Sequence, residues 1–223
     1  MKLSGLPRRR APRNDRIKGL YVITPDELNT AELLRKMRLA LLGGARVVQY
    51  RNKVADMALR LEQAKALCEL TREFAVPLIV NDDVVLAQQV DADGVHLGGE
   101  DGSMADARAI LGGGKLIGVS CYNRLPLAQE AVRQGADYVA FGSFFVSTVK
   151  PEAVAATPDL LRQARRELNV PIVAIGGITA QNGAQLLKAG ADALAVISAV
   201  FAAPDIEGAA KEFFNLFEQG KAA

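Results

Sequence analysis

The chain has 223 residues, half of them hydrophobic, with 27 Lys and Arg against 25 Asp and Glu. A chain of this length buries one substantial core and needs no second domain. Seven bases and one acid lie within residues 1–18, leaving 20 bases against 24 acids elsewhere, so the basic pI belongs to the segment around Arg8-Arg9-Arg10 and is poor evidence for a nucleic-acid surface. A single histidine, two cysteines, no CxxC pair and no evident Ser-His-Asp set argue against a Cys/His zinc centre and against triad chemistry. No apolar stretch follows the N-terminal charges as a signal peptide requires, and no run approaches the ~20 apolar residues of a membrane span. The expectations are a cytoplasmic protein without membrane or nucleic-acid partners, a disordered basic tail over 1–18, and one domain over 19–223. Cys68 and Cys121 read as buried or near-site thiols rather than a disulfide.

Short Val/Ile-rich runs recur along the chain at 20–24, 46–51, 77–81, 93–98, 116–121, 138–142, 171–177 and 193–198. Their spacing averages about 25 residues, the length of one strand, one helix and two short loops. Between them, 55–74 repeats its apolar residues at helical spacing (Ala58, Leu61, Ala64, Leu67, Leu70), and 158–168, 181–189 and 205–217 behave alike. Gly44-Ala45-Arg46, Gly135-Ala136-Asp137 and Gly190-Ala191-Asp192 suit helix C-caps that enter the next strand. Eight regular strand-helix units with continuously apolar strands predict an α/β fold, a closed parallel (β/α)8 TIM barrel. Function is then expected at the C-terminal strand ends.

Those ends hold three chemical groups. Val80-Asn81-Asp82-Asp83 and Gly99-Glu100-Asp101 close successive strands with hard oxygen ligands suited to Mg²⁺, in which Asp82 and Asp101 are the candidate metal ligands. Gln49, Arg51, Lys53 and Lys150 are donors suited to phosphate oxygens. Gln49, Arg51 and Lys53 alternate, so they share one face. Gly176-Gly177 and Ser198 offer backbone amides where barrels of this type often cradle a phosphate. Two phosphate regions result. The one between Lys53, Asp82, Asp101 and Lys150 needs Mg²⁺, since carboxylates would otherwise repel a diphosphate. Asp83 reads as the cap of the following helix, Glu100 as a supporting acid, and His96 as a satisfied barrel residue rather than a catalyst.

From 20 to 217 the chain resembles the thiamine-phosphate synthases, barrel enzymes that join a hydroxymethylpyrimidine diphosphate to a thiazole phosphate and release pyrophosphate. The resemblance rests on Val48-Gln49-Tyr50-Arg51-Asn52-Lys53, Val80-Asn81-Asp82-Asp83, Asp93-Gly94-Val95-His96-Leu97-Gly98, Glu100-Asp101, Gly118-Val119-Ser120, Ala174-Ile175-Gly176-Gly177-Ile178 and Val196-Ile197-Ser198, in order and at barrel-compatible spacing. It implies that Asp82 and Asp101 bind Mg²⁺, and that Gln49, Arg51, Lys53, Asn81 and Lys150 hold the diphosphate. It further implies that Ser120 faces the pyrimidine, while Ser147, Thr148, Gly177, Ile197 and Ser198 receive the thiazole phosphate. Lys150, Ser120 and Arg51 are the implied catalytic groups. The implied route is dissociative: the bond to pyrophosphate breaks early, and the thiazole nitrogen captures the pyrimidine methyl cation.

Three positions depart from the family pattern. The loop after the sixth strand reads Val146-Ser147-Thr148-Val149-Lys150, with Val149 where a second hydroxyl is usual. Either Thr148 supplies that hydroxyl one place early, or the phosphate loses one hydrogen bond, worth ~1 to 3 kcal/mol. Gly99 stands where Gln is frequent and Asn52 where an acid is frequent. Two alternatives accompany the synthase: a related thiazole tautomerase, which would need a proton-transfer residue and no diphosphate metal site, and a catalytically silent phosphate-ligand sensor or accessory domain. The sequence is compatible with a homo-oligomer without requiring one.

Overall fold

β-branched apolar runs bounded by glycine and acidic residues favour strands, and parallel strands buried on both faces need not alternate in polarity. The computed structural model describes residues 16–98, 103–146 and 155–219. Its strands are β1 (Gly19–Ile23), β2 (Val47–Tyr50), β3 (Leu78–Asn81), β4 (Gly94–Leu97), β5 (Leu116–Ser120), β6 (Tyr138–Phe141), β7 (Ile172–Ile175) and β8 (Ala193–Val196). All neighbours pair in parallel and β8 returns to β1, so the sheet closes in sequence order. The intervening helices are α1 (Thr30–Leu42), α2 (Met57–Glu73), α3 (Val84–Gln89), α4 (Met104–Leu111), α5 (Leu125–Arg133), α6 (Pro158–Glu167) and α7 (Ala180–Lys188). After β8 come the short α8 (Ser198–Phe201) and α9 (Ile206–Gln219). This is the (β/α)8 barrel that the eight regular units imply.

Two strand ends differ from their sequence expectation, each for a backbone reason. The apolar run 193–198 ends as a strand at Val196, because the carbonyl of Ile197 accepts the Phe201 N–H at 2.9 Å and opens α8. The run 171–177 ends at Ile175, because Gly176 (φ 104°) and Gly177 (φ 60°) turn the chain away.

Alternation along the strands separates two apolar clusters. One lies between the barrel and its helices, with Val22, Val48, Leu78, Val95, Val139 and Leu194 facing outward. The other fills the barrel with Tyr21, Ile23, Val47, Ile79, Tyr138, Val173 and Ala195. Ile17 joins the inner cluster fully buried, and Arg16 donates to Asp93. Arg16 and Ile17, expected within the basic tail, are thus packed against the barrel, and residues 1–15 lie outside the described residues. Both cysteines are buried and free. Among the described residues no helix is long and apolar enough to cross a membrane.

The even-numbered strands β4, β6 and β8 are each preceded by an aspartate that clips them to the strand before. Asp93, Asp137 and Asp192 accept the backbone N–H of Leu78, Ile117 and Ile172 at 3.0, 2.9 and 2.9 Å, and each pairs with an arginine, respectively Arg16, Arg108 and Arg165. The Asp137 side chain is 2% exposed. Asp137→Ala therefore strands the Ile117 N–H and the Arg108 guanidinium, and is expected to cost about 3 kcal/mol in urea unfolding. A loss below about 0.5 kcal/mol, the size of an ordinary surface change, would show that the clip does not hold β5 to β6.

Candidate active site

Register brings the inward-facing residues of successive strands to one mouth. Ile23 stands beside Gln49, Asn81 beside His96, His96 beside Gly118, and Ser120 beside Ala140. Arg51 follows Gln49 on the same face. Its backbone is held by fully buried Thr24, whose hydroxyl donates to the Arg51 carbonyl at 2.7 Å and accepts the Arg51 N–H at 2.8 Å. Asp26 accepts the Lys53 backbone N–H at 2.8 Å and lies 3.4 Å from the Arg51 guanidinium, so one carboxylate holds the backbone at Lys53 and the head group of Arg51. Asn52 is buried and donates to the Glu27 carbonyl at 2.7 Å while accepting the N–H groups of Val54 and Ala55. A carboxylate there could not donate to Glu27, which accounts for the amide in this chain.

Asp82 occupies the left-handed region (φ 60°), which short polar side chains tolerate better than most. Its N–H continues the ladder to the His96 carbonyl at 2.8 Å. One side-chain oxygen accepts from Asn81 Nδ2 at 2.6 Å and the other from the Gly98 N–H at 3.3 Å. The exposed carboxylate is thereby aimed, with lone pairs remaining for a hard cation. Among the described residues no group of three or more acidic, His or Cys side chains could hold a metal. The second expected ligand, Asp101, and its neighbour Glu100 lie outside the described residues. Asp83 caps α3, accepting the Leu86 N–H, and pairs with Arg60.

On the opposite side of the mouth, the loop after β7 is wedged under the chain leaving β6. Phe144 and Phe145 donate to the carbonyls of Ile175 and Gly176 at 3.2 and 3.1 Å, and Asn182 of α7 donates to the Gly177 carbonyl at 3.1 Å. A Cβ at Gly177 would stand 2.5 Å from the Val146 carbonyl oxygen, so only glycine permits the approach. The expected phosphate contacts Ser147, Thr148 and Lys150 follow directly, with Val149, and lie outside the described residues. α8 begins at Ser198, where the first N–H groups of a helix lack intrahelical acceptors.

Within the barrel, an unbroken hydrogen-bond chain crosses from β2 to β5. Gln49 Nε2 donates to the Tyr21 hydroxyl at 2.9 Å, Tyr21 and Tyr138 hydroxyls meet at 2.9 Å, Tyr138 reaches His96 Nδ1 at 3.0 Å, and His96 Nε2 reaches Ser120 Oγ at 2.9 Å. Gln49, expected as a phosphate donor, thus commits one N–H inside the barrel. Tyr21, Tyr138 and Asp26 were not singled out by the sequence. The tyrosines carried a usable signal, since buried phenols on inward-facing strand positions need partners.

Burial lowers the His96 pKa from 6.5 to about 4. The unfolded chain then takes up a proton between pH 6.5 and 4 that the native protein does not, so stability falls as pH drops through that window, by up to about 3 kcal/mol. His96 resonances are expected to stay unshifted from pH 7 to 5; titration near 6.5 would contradict a neutral buried ring. Burial also pushes the Cys121 thiol up to about 12, so no activated nucleophile lies there.

An open recess of about 530 Å³ flanks the acidic strand end, lined by Arg60, Asp82, Asp83, Leu97, Ser103 and Asp106. A cavity of about 600 Å³ opens at the other end of the barrel, among Arg16, Lys18, Arg46, Arg72 and Asp93. Size does not decide between them, because barrel chemistry gathers at strand C-termini.

Cations on one side, an aimed carboxylate beside them and a glycine-lined backbone opposite mark a barrel enzyme that handles phosphorylated small molecules. Within that class the match is specific: the family model described as thiamine monophosphate synthase covers residues 20–200, and the chain belongs to this family. It is 53% identical over 209 residues to the thiamine-phosphate synthase of Nitrosospira multiformis, covering 94% of this chain and 89% of that one. It is 55% identical over 201 residues to the thiamine-phosphate synthase of Methylobacillus flagellatus, covering 90% and 96%. Among solved structures, thiamine phosphate pyrophosphorylase from Pyrococcus furiosus superposes with a TM-score of 0.83 at 40% identity, covering 93% of this chain and 98% of that one.

Proposed function

We propose that the protein joins 4-amino-2-methyl-5-(diphosphooxymethyl)pyrimidine to a thiazole phosphate, giving thiamine phosphate and pyrophosphate, in the cytoplasm and by a dissociative route. The C–O bond to pyrophosphate breaks with its electron pair leaving on the diphosphate. The thiazole nitrogen lone pair then forms the C–N bond to the pyrimidine methyl cation, whose charge the ring amino group shares. Arg51, whose guanidinium lies beside Asp26, and Lys53, whose backbone Asp26 holds, bind the diphosphate and stabilise it as it leaves. Gln49, Asn81 and Lys150 complete that side, and Ser120 holds the pyrimidine. Asp82, aimed by Asn81 and Gly98, would hold Mg²⁺ together with Asp101. When bound, the ion supplies charge neutralisation for the diphosphate in both ground and transition states. Gly177, Ile197 and Ser198 present backbone to the thiazole phosphate, with Ser147 and Thr148 beside them.

The observation that carries this mechanism is the inertness of the interior. His96 has both ring nitrogens engaged and Cys121 is held as a thiol. Heterolysis and capture by a neutral nitrogen need neither base nor nucleophile, whereas a tautomerase would need a proton-transfer group.

The test is pyrophosphate release from the purified protein with both substrates and Mg²⁺. Release that depends on thiazole phosphate is expected. Binding without release at saturating substrate would identify a silent ligand sensor, and isomerisation of a thiazole without release would identify the tautomerase.

A further inference from the structure

The interior chain has a direction, and that direction reaches the substrate. An amide nitrogen can only donate, so Gln49 Nε2 makes the Tyr21 oxygen an acceptor; either phenol can donate in the 2.9 Å contact between the two hydroxyls, and only with Tyr21 donating do both buried phenol protons find acceptors along the chain. The Tyr138 proton then turns to His96 Nδ1, which must be bare, and the ring proton sits on Nε2 facing Ser120 Oγ. Ser120, having accepted that bond, has its own proton left for the mouth, where its side chain is partly exposed. Neither an imidazolium nor the Nδ1–H tautomer fits as well: with Nδ1 donating to Tyr138, the Tyr138 proton would turn to Tyr21, and the buried Tyr21 proton would be left without an acceptor along the chain.

Packing prevents the members from rotating out of line. The His96 and Tyr138 rings stack with centroids 5.5 Å apart, and Tyr21 tilts against Tyr138 at 6.2 Å. Gly118 leaves the space that Tyr138 fills, since a Cβ there would lie 2.0 Å from the phenol carbon Cζ. Gln49, Tyr21, Tyr138 and His96 are all buried, so little water competes for their protons.

We infer that Gln49, Tyr21, Tyr138 and His96 form a one-way hydrogen-bond relay that fixes His96 as the Nε2–H tautomer and presents the Ser120 hydroxyl as a donor to a ring-nitrogen acceptor of the bound pyrimidine. The inference rests on the pyrimidine lying against Ser120, as proposed above. Tyr21, Tyr138 and His96 are positioning residues, because they act through Ser120 rather than on the reacting atoms.

His96 is the single histidine of the chain, so long-range ¹H–¹⁵N spectra at neutral pH report one imidazole. A pyridine-like Nδ1 and a pyrrole-like Nε2 are expected; the reverse tautomer, or an averaged pair, would overturn the relay. This measurement needs no turnover and so stands apart from the synthase reading, which absent pyrophosphate release would defeat by itself. In kinetics, Tyr138→Phe keeps the ring and removes the proton. It is expected to lower kcat/KM for the pyrimidine diphosphate about tenfold, the loss of one hydrogen bond, with KM for thiazole phosphate unchanged. Combined with Ser120→Ala it should add nothing further; additive losses would show that Tyr138 does not act through Ser120. If Tyr138→Phe fails to fold, the wild-type tautomer still decides.

Discussion

Asp82→Ala is expected to lower pyrophosphate release by at least about 10³-fold while the barrel stays folded. Several kcal/mol of charge stabilisation at the leaving diphosphate depend on the hard ligand at this strand end, and each 1.36 kcal/mol is tenfold in rate. The fold depends on it much less. Asp82 is exposed, among the described residues its side chain hydrogen-bonds Asn81 and Gly98, and its backbone bond to His96 survives substitution. Alanine at φ 60° adds a left-handed penalty of about 1 to 2 kcal/mol, visible as a modest drop in Tm. Asp82→Asn tolerates that backbone better and removes only the charge, so it should lose turnover with little loss of stability. Unchanged turnover in either variant, measured over a range of Mg²⁺ concentrations, would refute the metal role of Asp82.

Gly177→Ala is expected to raise KM for thiazole phosphate by about 10² while binding of the pyrimidine diphosphate is preserved. The added carbon would meet the Val146 carbonyl oxygen at 2.5 Å and Phe145 atoms at 2.8 Å. Two of those three atoms are backbone, so the clash moves the chain leaving β6 rather than a flexible side chain. A displacement near 1 Å at a positioning loop is enough for a 10²-fold effect. Because Ser147 and Thr148 follow directly from that chain, the loss should fall on the thiazole phosphate held there. Strain at φ 60° adds about 1 to 3 kcal/mol of destabilisation. Equal losses for both substrates would point to general unfolding of the mouth, and none at all would remove the loop from the thiazole side.

The barrel was legible because its signals are local. Val/Ile runs at a spacing near 25 residues, glycines at the ends of α1, α5 and α7, and the period-two alternation that aligns Gln49 with Arg51 all follow from propensity and short-range geometry. The same locality made Asp83 recognisable as a cap, since its acceptor and the Leu86 N–H are three residues apart. Strand ends were less legible. Val196-Ile197 continues an apolar, β-branched run in the manner of a strand, yet the chain turns into α8 at Ser198.

By itself, then, the sequence determined the unit that repeats, the number of repeats and the residue types delivered to the mouth, because each depends on neighbours within a few positions. Only tertiary structure decided which of those residues meet. Tyr21 and Tyr138 are 117 residues apart, His96 and Tyr138 are 42 apart, and Asp26 reaches Lys53 across 27. Such pairs depend on the register of a closed sheet and on which residues it turns inward, quantities set by all eight strands together. The direction of the relay from Gln49 to Ser120 arises at that level, where five ordinary side chains become a single oriented donor.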